Sequence, residues 1–151
     1  MRFAAELLNP VLVSPQIFDE ATRVQFPRLN GIVPGYGMFK PNDWGLGFEL
    51  RGEKNPHWTG TGNSPRTFGH FGQSGTFLWV DPEIDTACVI LTNRAFGEWA
   101  KHCGPSSMTP YWGKSQEPLP FASETGATPA HYRIAALHRL CEEVVGEDVL
   151  V

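Results

Sequence analysis

The sequence predicts an α+β fold, in which helices pack against an antiparallel sheet of three or more strands. Segments near the start and near the end carry apolar residues at helical spacing, whereas the middle carries alternating or continuous apolar runs that are typical of strands. Short polar turns join these runs, and short connections favour antiparallel pairing. With 151 residues, 41% of them hydrophobic, the chain is the size of one domain and can bury a core.

Two helices are predicted before the sheet. In the first, Phe3 and Leu7 share a helical face, and Pro10 ends the helix. The second begins at Ser14-Pro15, because serine caps a helix and proline suits its first turn. The apolar stripe of this second helix consists of Ile17, Phe18, Ala21 and Val24, and Pro27 closes it.

The next part of the chain predicts a connection, a strand and a loop. Residues 28–43 hold several Gly, Pro and Asn residues and predict an irregular connection. Residues 44–50 alternate apolar and small or polar residues, which predicts a strand. Gly45 and Gly47 weaken that strand, so we expect backbone or ligand to approach closely there. Residues 51–66 are polar and predict a loop.

Further strands and one more helix follow. Residues 67–72 and 75–80 predict strands, and residues 81–85 predict a turn. Residues 86–92 form a nearly continuous apolar strand that we expect to be buried on both faces. The predicted domain spans residues 1–100, a loop or linker spans 101–127, and a closing helix spans 128–146.

Composition excludes several classes of function. The formal net charge of −4 and the absence of a basic cluster argue against nucleic-acid binding. No apolar run approaches the roughly 20 residues that cross a bilayer, so we expect no transmembrane segment. No signal peptide is visible, so the chain as it stands is expected in the cytoplasm, with its localisation otherwise open.

The sequence predicts neither a metal site nor a cofactor. The three cysteines, Cys88, Cys103 and Cys141, lack the spacing of a disulfide framework or a zinc site, and we expect buried thiols. His131 and His138 share a segment but lie seven residues apart, which does not suit a metal. Gly45 and Gly47 lie within a strand rather than before a helix, so they predict no phosphate loop.

The candidate site is the polar run at residues 70–74, which interrupts two strands. Blocks at 44–50, 57–65, 68–76 and 92–94, taken in order, resemble the serine β-lactamase-like hydrolases: penicillin-binding proteins, class C β-lactamases and related esterases. The resemblance covers about residues 2–100. It implies the C-terminal portion of the family's three-layer α/β/α domain. It also implies a small-molecule ester, amide or β-lactam substrate.

The resemblance assigns roles to five residues. His70 stands where the family's Lys-Thr-Gly strand has its cation, and the backbone N–H of Gln73 would donate to the oxyanion. Both are the expected catalytic positions. Phe71, Gly72 and Ser74 are the expected substrate-binding positions, and Gly72 would let substrate approach the strand edge. Phe71 replaces the usual hydroxyl residue, which favours an ester or peptide-like substrate over a β-lactam.

Two other elements of the family have no counterpart. No serine is followed three residues later by lysine, and none of the three tyrosines is followed two residues later by asparagine. One hypothesis is that this is a fragment and that a missing N-terminal half holds the nucleophile. The alternatives are a non-catalytic ligand-binding module and a decayed gene product. Outside the family context, His70 would be a structural polar residue and His57 a packed loop histidine.

Overall fold

The computed structural model describes residues 2–101. The predicted linker beyond Lys101 and the closing helix at 128–146 lie outside the described residues. Two helices are followed by six strands: α1 Arg2–Leu8, α2 Pro15–Thr22, β1 Gly31–Val33, β2 Gly37–Phe39, β3 Glu49–Leu50, β4 Phe68–Phe71, β5 Phe77–Asp81 and β6 Thr86–Ile90. Residues 98–101 are helical as well.

The main sheet has four antiparallel strands in the order β3-β4-β5-β6, so the α+β prediction is confirmed. Strand β5 pairs along its whole length with β6, and β4 pairs along its whole length with β5. Strand β3 covers only the first half of β4, through the pairs Leu50↔Phe68 and Glu49↔Gly69. His70 therefore has no strand partner on that side within residues 2–101, and the end of β4 is an open edge.

Each face of this sheet packs on its own apolar cluster, because successive side chains of a strand point to opposite faces. On the face covered by α1, Leu7 packs with Leu50, Phe68 and Val80. The other face buries a larger, aromatic cluster. Its buried members are Val33, Trp58, Phe77, Trp79, Cys88, Ile90, Trp99 and Ala100.

Helix α2 begins as the sequence predicts. Ser14 is its N-cap, and the Ser14 hydroxyl accepts from the Ile17 N–H at 3.3 Å. The helix ends at Thr22, before Pro27, so Val24 lies beyond it. Of the predicted stripe, Phe18 meets the Phe68 ring edge-on, with centroids 5.9 Å apart, whereas Ile17 is exposed. A short helix that touches the sheet through one aromatic ring leaves the rest of its stripe in water.

The predicted strand at residues 44–50 is mostly a turn. The Gly45 N–H donates to the Phe48 carbonyl at 2.8 Å, and Gly47 has a φ of +84°, so the chain reverses between them. Only Glu49–Leu50 joins the sheet. The close approach expected at Gly45 is backbone, since a Cβ there would lie 2.1 Å from the Ala21 carbonyl oxygen at the end of α2.

Two other expectations need adjustment. Residues 28–43 contain a short hairpin, β1-β2, in which Ile32 faces Met38 across the pair. Gly35 and Gly37 have φ values of +82° and +102°, which lets the chain turn in three residues. Strand β6 is buried on one face only, because Ala87 and Val89 on the α1 face remain partly exposed.

Candidate active site

The turn that follows β4 is held by backbone hydrogen bonds. The Gly72 N–H donates to the Thr76 carbonyl, and the Gly75 N–H donates to the Gly72 carbonyl, both at 3.0 Å. The Gln73 carbonyl accepts from the Phe96 N–H at 2.9 Å, which ties the turn to the segment after β6. The predicted site residues therefore lie on a fixed backbone rather than on a free loop.

Within residues 2–101, the N–H of Gln73 has no hydrogen-bond partner, and it can therefore donate to a ligand. Gly72 beside it is loosely packed. A Cβ on Gly72 would come no closer than 3.5 Å to any neighbour, the nearest being the Ser74 hydroxyl oxygen. This corner of the molecule thus offers a backbone donor with room in front of it.

The side chains of His70 and Phe71 point to opposite faces of β4. His70 is exposed, and its ring meets Trp44 edge-on with centroids 5.6 Å apart. Phe71 is half-buried in the aromatic cluster, 5.4 Å from the Trp58 ring and 5.0 Å from the Phe96 ring. His70 can therefore meet a ligand directly, and Phe71 anchors the strand behind it.

A cleft of about 360 Å³ opens at the unpaired edge of β4, and we call it the His70 cleft. It brings together four of the five predicted site residues, because only Ser74 is outside its lining. Its lining consists of Ile32, Val33, Pro34, Trp44 and Phe71, together with Glu49, His70, Gly72 and Gln73. A second cleft of about 360 Å³ lies on the α1 side and shares His70, Phe71 and Gly72.

Ser74 lies on the exposed side of the turn. Its hydroxyl shares a 2.8 Å hydrogen bond with the Thr76 hydroxyl. No histidine or carboxylate of residues 2–101 hydrogen-bonds to Ser74, so no base activates it. Ser74 is suited to contact a ligand as a polar group rather than to attack one.

The sequence did not predict the buried ionic cluster beneath the site, in which Glu49 is 2% exposed. Lys54 Nζ donates to Glu49 Oε1 at 2.9 Å, and His57 Nε2 lies 3.3 Å from the same oxygen. The Trp58 indole N–H donates to Glu49 Oε2 at 2.7 Å. The one sequence signal was an acidic residue flanked by Phe48 and Leu50 at the end of an apolar run.

Hydrogen bonds fix the tautomer of His57. The Thr59 backbone N–H points at His57 Nδ1 at 3.3 Å, and the Thr59 hydroxyl lies 2.9 Å from the same nitrogen. Arg51 donates to that hydroxyl oxygen at 3.0 Å, which leaves the hydroxyl proton for His57. Nδ1 is therefore an acceptor, and the ring proton lies on Nε2, where it donates to Glu49.

Burial and charge shift the pKa values of this cluster. Burial lowers the pKa of His57, and the bond to Glu49 only partly opposes this, so the ring stays neutral. Burial would raise the pKa of Glu49, but His57 and Lys54 outweigh it and hold that pKa below its usual value. Burial lowers the pKa of Lys54, against the attraction of Glu49. The cluster is an ion pair of Glu49 and Lys54 with a neutral histidine beside it.

The cluster supports the site strand through Trp58. The Trp58 indole is held by Glu49 on one edge and packs against Phe71 of β4 with its ring. Because Phe71 adjoins both His70 and Gly72, a shift of Trp58 would move the backbone that carries the candidate donor.

Residues 2–101 hold neither a metal-binding cluster nor a membrane-spanning helix. No group of three or more His, Cys, Asp or Glu side chains there could hold a metal ion. No helix within that part of the chain is long and apolar enough to cross a membrane.

Comparison with known proteins gives consistent matches. The model of the Beta-lactamase family matches residues 1–102. The crystal structure of a beta-lactamase from Mycobacterium bovis is 55% identical, with a TM-score of 0.68, and the match covers 74% of this chain and 41% of that one.

Curated relatives are more distant. Provisionally named D-alanyl-D-alanine carboxypeptidases of Salmonella gallinarum and Salmonella paratyphi B are 37% identical over 82 residues, which is 52% of this chain. The match spans only 17% of those carboxypeptidases. The family model nevertheless covers more than half of this chain, and a solved member shares its fold: the chain belongs to the beta-lactamase family.

Proposed function

We propose that this chain supplies the substrate-binding and oxyanion side of a serine hydrolase that cleaves an ester, amide or β-lactam through an acyl-enzyme. The observation that carries the proposal is the Gln73 N–H, which has no hydrogen-bond partner within residues 2–101 and lies beside Gly72, where a Cβ would come no closer than 3.5 Å to a neighbour. This pair lies at the unpaired edge of β4, where an extended substrate can lie along the strand. The family relationship supports the same assignment.

In this mechanism a serine hydroxyl attacks the carbonyl carbon of the substrate, and the carbonyl oxygen gains negative charge. The Gln73 N–H donates to that oxygen and stabilises the charge as it develops. His70, exposed at the edge of the same cleft, hydrogen-bonds the part of the substrate beyond the carbonyl. Gly72 leaves room for the substrate backbone, because a side chain would occupy that space.

The proposal assigns the nucleophile and its base to a part of the protein outside these 151 residues. The chain contains neither Ser-x-x-Lys nor Tyr-x-Asn, and no base within residues 2–101 hydrogen-bonds to Ser74. An oxyanion donor alone gives only part of the rate of such an enzyme. The match to 41% of the Mycobacterium bovis beta-lactamase supports a longer natural protein.

The test is the intact mass of the protein isolated from its natural source, followed by labelling with a fluorophosphonate and with a penicillin. We expect a species well above 16.7 kDa that is acylated by one of these probes at a serine outside this sequence. A species of 16.7 kDa that neither probe labels would overturn the proposal.

The second candidate is a module of the same family that binds such ligands without turning them over. The absence of both nucleophile motifs from the sequence favours it. It predicts saturable binding in the His70 cleft together with no hydrolysis and no covalent adduct. The mass and labelling experiment separates the two, because only the enzyme forms an adduct.

A further inference from the structure

The His70 cleft has an apolar lining. Ile32, Val33, Pro34, Trp44 and Phe71 surround the space beside the Gln73 donor. Ile32 is 67% exposed, which leaves its side chain available to a ligand. A pocket of this kind binds through removal of apolar surface from water.

No lysine or arginine of residues 2–101 lines the cleft. Residue 71, next to Gly72, is a phenylalanine and offers no hydroxyl to a ligand. Its ring is turned into the aromatic cluster. A substrate carboxylate entering here would lose water and gain no cation in exchange. The free energy cost of burying an unpaired charge is large, so the lining selects against anions.

Within residues 2–101, the acidic side chain that lines the cleft brings no free cation with it. Glu49 contributes to the lining, and its two oxygens already accept from Lys54, His57 and Trp58. Lys54 Nζ is committed to Glu49 and to the Asp43 carbonyl, at 2.9 and 3.0 Å. The ion pair is therefore closed and buried, and Lys54 is not free to turn toward an anionic ligand.

We propose that the His70 cleft is the subsite for an uncharged, apolar acyl or alkyl group. On this inference, which rests on the proposed function, the preferred substrate is a neutral carboxylic ester rather than a substrate that carries a carboxylate. The ester carbonyl lies at the Gln73 N–H, and its hydrocarbon chain contacts Ile32 and Trp44. His70 lies beside Trp44 and meets the polar end of the ester.

The experiment compares methyl hexanoate with hexanoate on the 151-residue protein, by amide and indole shifts in NMR. The two probes share one acyl chain and differ at one end, which is a neutral methyl ester in the first and a carboxylate in the second. We expect methyl hexanoate to shift Ile32, Trp44 and the Gln73 N–H, and to bind at least about tenfold more tightly than hexanoate. Binding needs no nucleophile, so the result does not depend on turnover.

Variants make the test specific. Ile32→Asp puts a carboxylate into the lining and should weaken ester binding about tenfold or more. Ile84→Asp is the matched control, because Ile84 is also exposed but lies in the β5–β6 turn, away from the cleft. His70→Lys adds a cation and should reverse the preference in favour of hexanoate.

Each outcome bears on one proposal. Hexanoate binding as tightly as the ester, ester binding that Ile32→Asp leaves unchanged, or no ester binding at all would overturn the apolar subsite. Shifts at Ile32 and Trp44 without a shift at the Gln73 N–H would support the subsite and count against the oxyanion role. The failure of one proposal is thus distinguishable from the failure of the other.

Discussion

The Trp58 indole N–H donates to the buried Glu49 carboxylate at 2.7 Å, and this bond joins an ion pair to the strand that carries the candidate site. On the far side, the Trp58 ring packs against Phe71, one residue from His70. A buried ion pair adds little net stability, but removing one of its two charges is costly because the other charge is left buried and unpaired.

The first prediction concerns Glu49→Gln. The neutral amide leaves the Lys54 ammonium buried without its counter-charge, because both side chains are no more than 3% exposed. We expect the free energy of unfolding to fall by about 3–5 kcal/mol. Urea denaturation measures it.

The control is the double variant Glu49→Gln with Lys54→Met, which removes both charges and keeps the volume. We expect it to recover most of the loss, since replacing a whole buried pair is far less harmful than breaking it. Equal instability of the double and the single variant would show that the amide, rather than the unpaired lysine, causes the loss.

The second prediction concerns pH. The folded-state pKa of His57 lies below its ordinary value of 6.5, because the ring is buried and is flanked by Lys54 and Arg51, although Glu49 opposes the shift. The unfolded chain therefore binds a proton that the folded chain does not. The contribution of His57 to the free energy of unfolding is fully present above about pH 6.5 and is lost as the pH falls below that value.

Measurement of stability between pH 7.5 and pH 5 should show this loss, since each added proton favours the unfolded state. The variant His57→Gln should lower stability at pH 7.5, but it should flatten the slope between about pH 6.5 and pH 5. The lowered pKa of Glu49 adds a loss at more acidic pH, which this variant leaves in place. An unchanged slope in His57→Gln would contradict the assignment.

Local signals in the sequence were enough for much of the fold. Ser14-Pro15 marks the start of α2 because capping depends on neighbours in the chain. The hairpin strands β4, β5 and β6 follow from apolar runs and short turns. The misread strand at residues 44–50 alternates correctly, but Gly47 at a φ of +84° turns the chain, and alternation does not reveal a dihedral angle.

The candidate site, like the fold, has a part that local sequence signals predict and a part that depends on tertiary packing. Family motifs singled out His70, Gly72 and Gln73, which adjoin in the chain and line one cleft, while their roles stay a prediction. The partnership of Glu49 with Trp58 was out of reach, since it joins a strand to a loop across nine residues and depends on tertiary packing. A glutamate in a strand can be solvated or can be buried and paired, and tertiary contacts that no local pattern encodes decide between the two.

The third prediction concerns Cys88, which is 3% exposed in the aromatic cluster. Burial raises the pKa of its thiol well above the usual value, so almost no thiolate forms near neutral pH. We expect iodoacetamide to leave Cys88 unmodified in the folded protein and to modify it fully in denaturant. Peptide mass spectrometry distinguishes Cys88 from Cys103 and Cys141, and rapid labelling of Cys88 without denaturant would contradict the packing.

The fourth prediction contrasts two glycines of the turn after β4. Gly75 has a φ of +79°, and a Cβ there would lie 2.1 Å from the Arg94 carbonyl oxygen. Gly75→Ala should therefore destabilise the fold by at least about 1–3 kcal/mol. Gly72→Ala meets nothing closer than 3.5 Å, so its stability should stay within about 0.5 kcal/mol of the parent.

The effects of these two variants on ligand binding should not follow their effects on stability. Under the proposed function the space at Gly72 belongs to the substrate, so Gly72→Ala should weaken methyl hexanoate binding although it folds normally. Thermal unfolding and NMR titration measure the two effects separately. A Gly72→Ala protein that binds the ester as well as the parent would remove Gly72 from the site.

The fifth prediction tests the oxyanion donor itself. Gln73→Pro removes one backbone N–H, whereas Gln73→Ala removes the side chain and keeps the N–H. The Gln73 carbonyl, which accepts from Phe96, is present in both variants. Under the proposed function, and in a protein that includes the nucleophile, loss of one such donor should lower kcat by about 10²–10³, with a smaller effect on KM.

Gln73→Ala should keep kcat within a few-fold of the parent, because the side chain is exposed and lies outside the oxyanion bond. Thermal unfolding of both variants checks that proline has not disrupted the turn. If proline shifts the φ of residue 73, the melting temperature falls together with kcat. Replacing the amide at residue 73 by a backbone ester then removes the N–H without fixing φ, and it also weakens the Gly72 carbonyl as the acceptor of the Gly75 N–H. Equal kcat in that ester variant and in the parent would show that the Gln73 N–H does not stabilise the oxyanion.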